Sequence, residues 1–147
     1  MKILGLSFFY HDSAAVLLKD GVPVAMSEEE RFSRIKHDFH FPSRAIAFVL
    51  EEAGLTARDL DYVIFYEKPF IKLDRVIKTA FQTFPWAPHV FVKAMKSEFT
   101  SKIWIRALIA KEIEIDAKNI LFSEHHLSHA AASFLASPYE KAAIVTV

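Results

Sequence analysis

No cysteine occurs in the 147 residues, so a disulfide framework and thiolate chemistry are both excluded, and a cytoplasmic location fits. An excess of one charge is missing as well. Eighteen basic and eighteen acidic side chains are mixed along the chain with a formal net charge of zero. Nothing builds the cationic field that nucleic acid attracts, and nucleic acid is not expected as a partner. No apolar run approaches the roughly 20 residues that cross a bilayer, so no membrane association is expected. The opening MKILGLSFFY could pass for a secretory leader, but its apolar run stops at His11-Asp12 without a small-x-small cleavage context and reads as a strand. Glycine is scarce, at three, and no G-x-x-x-x-G-K-[ST] loop exists. Any nucleotide would have to be held without a Walker-type cradle.

What the chain does have is the means to bury a core. It is the length of one domain, and 52% of its residues are hydrophobic. Ile3 to Phe9 and Ala14 to Leu18 read as strands around the polar elbow Tyr10-His11-Asp12-Ser13. Lys19-Asp20-Gly21 reverses the chain, because Asp-Gly supplies the positive φ angles of a tight hairpin. Val22 to Ser27 then completes a three-strand meander. A charged stretch follows from Glu28 to His40. In Arg44 to Ala53 the residues Ile46, Val49, Leu50 and Ala53 recur at helical spacing, with Gly54 at the C-terminal cap. Asp61 to Tyr66 is a fourth strand.

Phe70, Leu73, Val76, Ile77, Ala80, Phe81 and Phe84 mark one face of a helix that Pro85 ends, and a second helical region runs from Val90 to Ile113. Asn119 to Ser123 is a fifth strand, Leu127 to Leu135 a helix, and Ala142 to Val147 a sixth strand. That order predicts an α/β fold, a mixed sheet opened by a three-strand meander. It is the order of a ribonuclease H-like subdomain of the actin-like ATPase fold. On this reading residues 1–141 form the first subdomain and 142–147 the first strand of a second, truncated one. The β-branched run AAIVTV stops without turn, cap or polar tail, which suggests a shortened chain.

Four constellations could carry chemistry. In SEHHLSHAAASF, a helix beginning near Glu124 stacks His125 and His129 on one face, four residues apart, while His126 projects elsewhere. The pair could bind one cation such as zinc or iron with a further ligand from another element, or could be an ordinary exposed helix start. In the elbow, His11 could serve as general base or acid, oriented by Asp12 or Ser13, unless the turn only satisfies local backbone. In the charged stretch Arg31, Arg34 and Lys36 could hold an anion, against the alternative of a solvated loop. Phe81, Phe84, Trp86, Phe91, Phe99 and Trp104 read first as core, and otherwise as a substrate wall or homodimer face.

Together, ILGLSFFYHDSAAVLLKDG, EEERFSRIKHDFHFP and EHHLSHAAASFLASPYEKAAIVTV resemble, in this order along the whole chain, the N-terminal part of the NodU-like O-carbamoyltransferases of nodulation and of cephamycin and tobramycin biosynthesis. The resemblance implies an actin-like fold. It implies a reaction in which carbamoyl phosphate and ATP give carbamoyladenylate in a separate C-terminal adenylating domain, absent here. The carbamoyl group then passes to a hydroxyl of a small-molecule acceptor. By this resemblance His125 and His129 match the metal-binding H-x-x-x-H, the ion being iron(II), with zinc or magnesium as alternatives. His11 matches the base that deprotonates the acceptor. Lys36 is carried over as an anion contact; apart from the resemblance, the elbow residues Asp12 and Ser13 are further candidate substrate-binding positions. The family's next metal ligand, an aspartate, would follow Val147, so this segment alone is expected to be inactive. Two other readings remain: a tRNA threonylcarbamoyladenosine synthesis-type transferase, and a non-catalytic actin-like module that binds a partner through its aromatic helices.

Overall fold

The computed structural model describes residues 1–68 and 104–146, together with residues 74, 78, 79 and 82. Its centre is a five-stranded mixed sheet of order β3-β2-β1-β4-β5. The strands are β1 (Lys2–Ser7), β2 (Ala14–Lys19), β3 (Val22–Glu28), β4 (Tyr62–Phe65) and β5 (Ile120–Phe122). The first three pair antiparallel, whereas β4 and β5 run parallel to β1. The described residues also form four α-helices: α1 (Glu30–Ser33), α2 (Ser43–Glu52), α3 (Ile105–Ile113) and α4 (His125–Leu135). The α/β reading and the opening meander therefore hold.

The hairpin between β2 and β3 has only Asp20-Gly21 between paired residues, with φ of 53° and 83°. These are the positive angles that a two-residue hairpin connection needs. Helix α2 ends as its sequence predicts. Gly54 takes φ of 62°, its N–H bonds Glu51 O and the N–H of Leu55 bonds Leu50 O, the paired closure of a Schellman motif.

One sheet face holds the core. Leu4, Leu6, Ala15, Leu17, Val63, Phe65 and Ile120 alternate along the strands and cluster with Ala45, Ile46 and Val49 of α2 and Ile105, Ile109 and Ile113 of α3. Strand residues of the opposite face, including Ile3, Val16, Leu18 and Ile64, are only half-buried.

Several expectations need correcting. β1 stops at Ser7 rather than Phe9, because Phe9 turns to φ of 68° and gives its N–H to Phe39 O outside the ladder. The charged stretch, expected as a loop, contains the short helix α1. Residues 142–146 form no strand and are exposed, although a sixth strand is predicted there. Their β-branched composition favours an extended chain, but a strand also needs a neighbour for its N–H and C=O groups. Of the helix expected at 70–84, the described residues 74, 78, 79 and 82 are helical, while its remainder, most of 90–104 and the aromatic residues other than Trp104 lie outside the described residues. Trp104 itself is exposed rather than core.

Helix α2 has no side-chain cap of its own at Pro42. The buried carboxylate of Glu29 supplies one from the preceding loop, accepting the N–H of Arg44 at 3.0 Å and of Ala45 at 2.8 Å. A negative charge there also suits the positive end of the helix.

Candidate functional site

Strands β1, β4 and β5 run in one direction, so their carboxyl ends share one edge of the sheet. The elbow follows Ser7, Tyr66 to Lys68 follow Phe65, and the histidine helix follows Phe122. In α/β sheets ligands bind outside these carboxyl ends, where polar loop residues converge without weakening the core. The fold thus brings two of the sequence-predicted constellations to one edge.

The elbow is held from below. Ser13 donates its N–H to Asp38 O at 2.7 Å and accepts that of Glu29 at 2.8 Å. The Ser13 side chain is wholly buried, and its hydroxyl has no hydrogen-bond partner among the described residues. Ser13, a candidate substrate contact, thus lies beneath the elbow rather than at its surface. Asp38 is buried too. A hydrogen bond from the Ser33 hydroxyl, then bonds from the His40 N–H and imidazole, hold its carboxyl down at about 2.

Asp12 stays near the surface and joins two histidines. His11 Nδ1 meets its Oδ2 at 2.8 Å, and His37 Nδ1 meets its Oδ1 at 2.8 Å. The His37 bond, then the His11 bond, push the Asp12 carboxyl below its ordinary range. An ionised carboxylate only accepts, so each neutral ring carries its proton on Nδ1 and its lone pair on Nε2. His11 consequently has the tautomer of a general base. Lys36, next to His37, is exposed and makes no ion pair among the described residues, as an anion contact requires. Arg31 pairs with Glu28 at 3.2 Å, and Arg34 is exposed and takes φ of 61° to end α1.

On α4 the i, i+4 spacing brings His125 and His129 together, with their Nε2 atoms 3.2 Å apart. Two imidazoles bound at about 2.0–2.1 Å to a tetrahedral ion hold their nitrogens about 3.3 Å apart, close to the separation found here. The start of α4 is pinned to the end of β4. Ser123 N–H bonds Phe65 O at 2.9 Å, Ser128 Oγ donates to Tyr66 O at 3.0 Å, and Lys68 Nζ pairs with Glu124 at 3.0 Å. The Tyr66 ring lies 5.5 Å from that of His125. Burial pushes the Tyr66 hydroxyl up to about 12, helped by Glu67 and by Tyr10 of the elbow. Tyr66 thus stands between the two constellations as a neutral phenol. Among the described residues no third histidine or carboxylate closes on the histidine pair.

Sequence reasoning misses His37, Glu30 and Tyr66. The repeated acid–histidine pattern of Lys36-His37-Asp38-Phe39-His40 was the available signal, but which acid faces which ring depends on the left-handed turns at Asp12 and His37. Beside the elbow, Gly5, Val16, Ile64 and Tyr66 line an open, largely apolar groove of about 660 Å³, with Met26 and Arg31 also in its wall.

A family model described as carbamoyltransferase N-terminus matches residues 2–147. An uncharacterised protein, sll1178, of Synechocystis sp. is 42% identical over 150 residues, covering 97% of this chain and 24% of that protein. The nodulation protein NolNO of Sinorhizobium fredii is 36% identical over 144 residues, covering 95% of this chain and 19% of NolNO. An uncharacterised Rhizobium etli protein is 43% identical over 58 residues, 40% of this chain and 34% of that protein. The chain spans about a quarter or less of the first two relatives.

Proposed function

The chain belongs to the carbamoyltransferase N-terminus family, and from that premise we propose that it is the acceptor-side segment of an O-carbamoyltransferase. The intact protein transfers a carbamoyl group from carbamoyladenylate, made from carbamoyl phosphate and ATP, to the hydroxyl of a small molecule. The observation that carries this reading is the His11–Asp12 contact at 2.8 Å, which leaves the His11 Nε2 lone pair free.

An alcohol is a poor nucleophile at neutral pH. His11 Nε2 takes the hydroxyl proton as the oxygen bonds to the carbamoyl carbon; the carbon–oxygen bond to the phosphate breaks, and its electron pair leaves with AMP. Asp12 stabilises the imidazolium that forms. Lys36 offers a positive charge to the phosphate. A divalent ion, held by His125 and His129 with ligands from elsewhere, would supply further positive charge toward the leaving phosphate. Imidazole donors favour iron(II) or zinc over magnesium, which prefers oxygen ligands.

The order β3-β2-β1-β4-β5, with its meander and two added parallel strands, supports a ribonuclease H-like subdomain of the actin-like fold. We assign residues 1–141 to that subdomain, with the adenylating domain elsewhere in the intact protein. The segment alone is then inactive. No helix among the described residues is long and apolar enough to cross a membrane, and a cytoplasmic enzyme acting on a soluble alcohol is the setting proposed.

The test incubates the intact protein with ATP, labelled carbamoyl phosphate and a panel of sugar, aminoglycoside and cephem alcohols. Label in an O-carbamoyl ester supports the proposal. Transfer only to tRNA would favour the threonylcarbamoyl reading, and failure to bind ATP or carbamoyl phosphate would favour a non-catalytic module.

A further inference from the structure

His37 comes from the charged stretch, 25 residues away from the carboxylate it meets. Its place is fixed separately from Asp12. The His37 N–H donates to Glu30 Oε2 of α1 at 3.1 Å, and its backbone takes φ of 56°. Asp12 likewise sits at φ of 50°. Two non-glycine residues in the left-handed region, facing each other across one carboxylate, are a disfavoured arrangement kept in place by the surrounding bonds.

The consequence concerns rotational freedom. Asp12 is partly exposed, and a carboxylate bonded only to His11 could swing about its side-chain torsions and release the ring. A second donor on its other oxygen, anchored through Glu30, removes that freedom. Asp12, Glu30 and His37 also present ligand atoms within 4.8 Å of one another. Their contacts are accounted for by hydrogen bonds, since His37 donates from Nδ1 to Asp12 and from its backbone N–H to Glu30.

We propose that His37 is a positioning residue for the His11 base: by donating its Nδ1–H to Asp12 Oδ1, it holds Oδ2 where it keeps the His11 proton on Nδ1 and the lone pair on Nε2. The role rests on the assignment of His11 as the base of carbamoyl transfer, but its physical content is a tautomer, which can be read without substrate.

The experiment uses the intact protein with ¹⁵N-labelled histidine. In the wild type, His11 shows a protonated Nδ1 and an unprotonated Nε2. His37→Ala shifts His11 to a mixture of tautomers and lowers kcat about tenfold at unchanged KM for the acceptor, in the range seen when a partner that orients a functional group is lost. His37→Asn restores both, because its amide nitrogen occupies nearly the place of Nδ1 and asparagine tolerates positive φ. A His11 tautomer unchanged in His37→Ala overturns the proposal, as does a change that His37→Asn fails to restore. If the tautomer responds but the wild type transfers no carbamoyl group, the positioning contact stands and the proposed function falls.

Discussion

His125 and His129 face each other through their Nε2 atoms at 3.2 Å, one helical turn apart at the start of α4. Two neutral imidazoles can satisfy that contact only if one donates to the other, whereas a cation between them would use both lone pairs. The pair is therefore expected to bind iron(II), cobalt(II) or zinc in the intact protein. His125→Ala and His129→Ala should each weaken binding by at least about 100-fold, more than loss of an outer-shell partner typically costs. His126→Ala should leave it unchanged. Metal analysis after dialysis and a cobalt spectrum check this; a full complement of ion in His129→Ala would remove the pair as the ligand set.

Glu29 ties the charged stretch to the core. Its carboxylate accepts two N–H groups of the first turn of α2, beside the fully buried Ala45. Glu29→Ala strands those donors away from water and should cost about 2–3 kcal/mol, the scale for losing buried bonds to a charged group. Glu29→Gln keeps an acceptor and should cost less. Urea unfolding midpoints at constant slope provide the measurement; equal losses in the two variants would mean that volume, not bonding, sets the effect.

Asp38 ties the elbow down and should make the fold acid-sensitive. Its carboxyl is lowered in the folded state from an ordinary 3.8 to about 2 by the Ser33 hydroxyl and by His40. A carboxyl lowered by folding contributes stability above its unfolded value, and that contribution is lost as pH falls through the folded one. Asp38→Asn should be less stable than wild type at neutral pH, with the gap closing between about pH 4 and about pH 2. A constant gap across that window, in urea midpoints followed by pH, would show that ionisation of Asp38 has no part in it.

The elements legible in the sequence are those in which local pattern and tertiary need agree. The Asp20-Gly21 hairpin and the Gly54 stop each announce themselves by residue type at a fixed position, and the i, i+4 geometry of His125 and His129 follows from helix pitch alone. The elbow is different. His11 and Asp12 are visible as candidates, but His37 reaches Asp12 only because two residues adopt left-handed backbone, which no residue type here demands. Ser13 reads as a polar elbow residue that could orient His11 or contact substrate, and it is buried because the β1–β2 connection turns it inward. Glu29 was hidden for a similar reason: within a run of three glutamates nothing marks the one that folds beneath a helix fifteen residues later. The run at 142–146 shows the reverse limit, where strand propensity is strong and no neighbour pairs with it among the described residues.

His11→Asn separates chemistry from architecture at this elbow. The asparagine amide nitrogen stands close to where Nδ1 stood and can still donate to Asp12 Oδ2, so the elbow, the Asp12–His37 contact and the ion capacity of His125 and His129 should be unchanged. What disappears is the Nε2 lone pair. If that lone pair removes the acceptor proton, carbamoyl transfer should fall by about 10²–10⁴-fold, the usual contribution of a general base. Adenylate formation, measured as ATP consumption with carbamoyl phosphate but no acceptor, should persist because His11 acts only in the later step. Equal loss of both activities would assign His11 to binding the shared nucleotide instead. Undiminished transfer would take the base away from this side chain and leave the two-histidine carboxylate as a purely structural clasp.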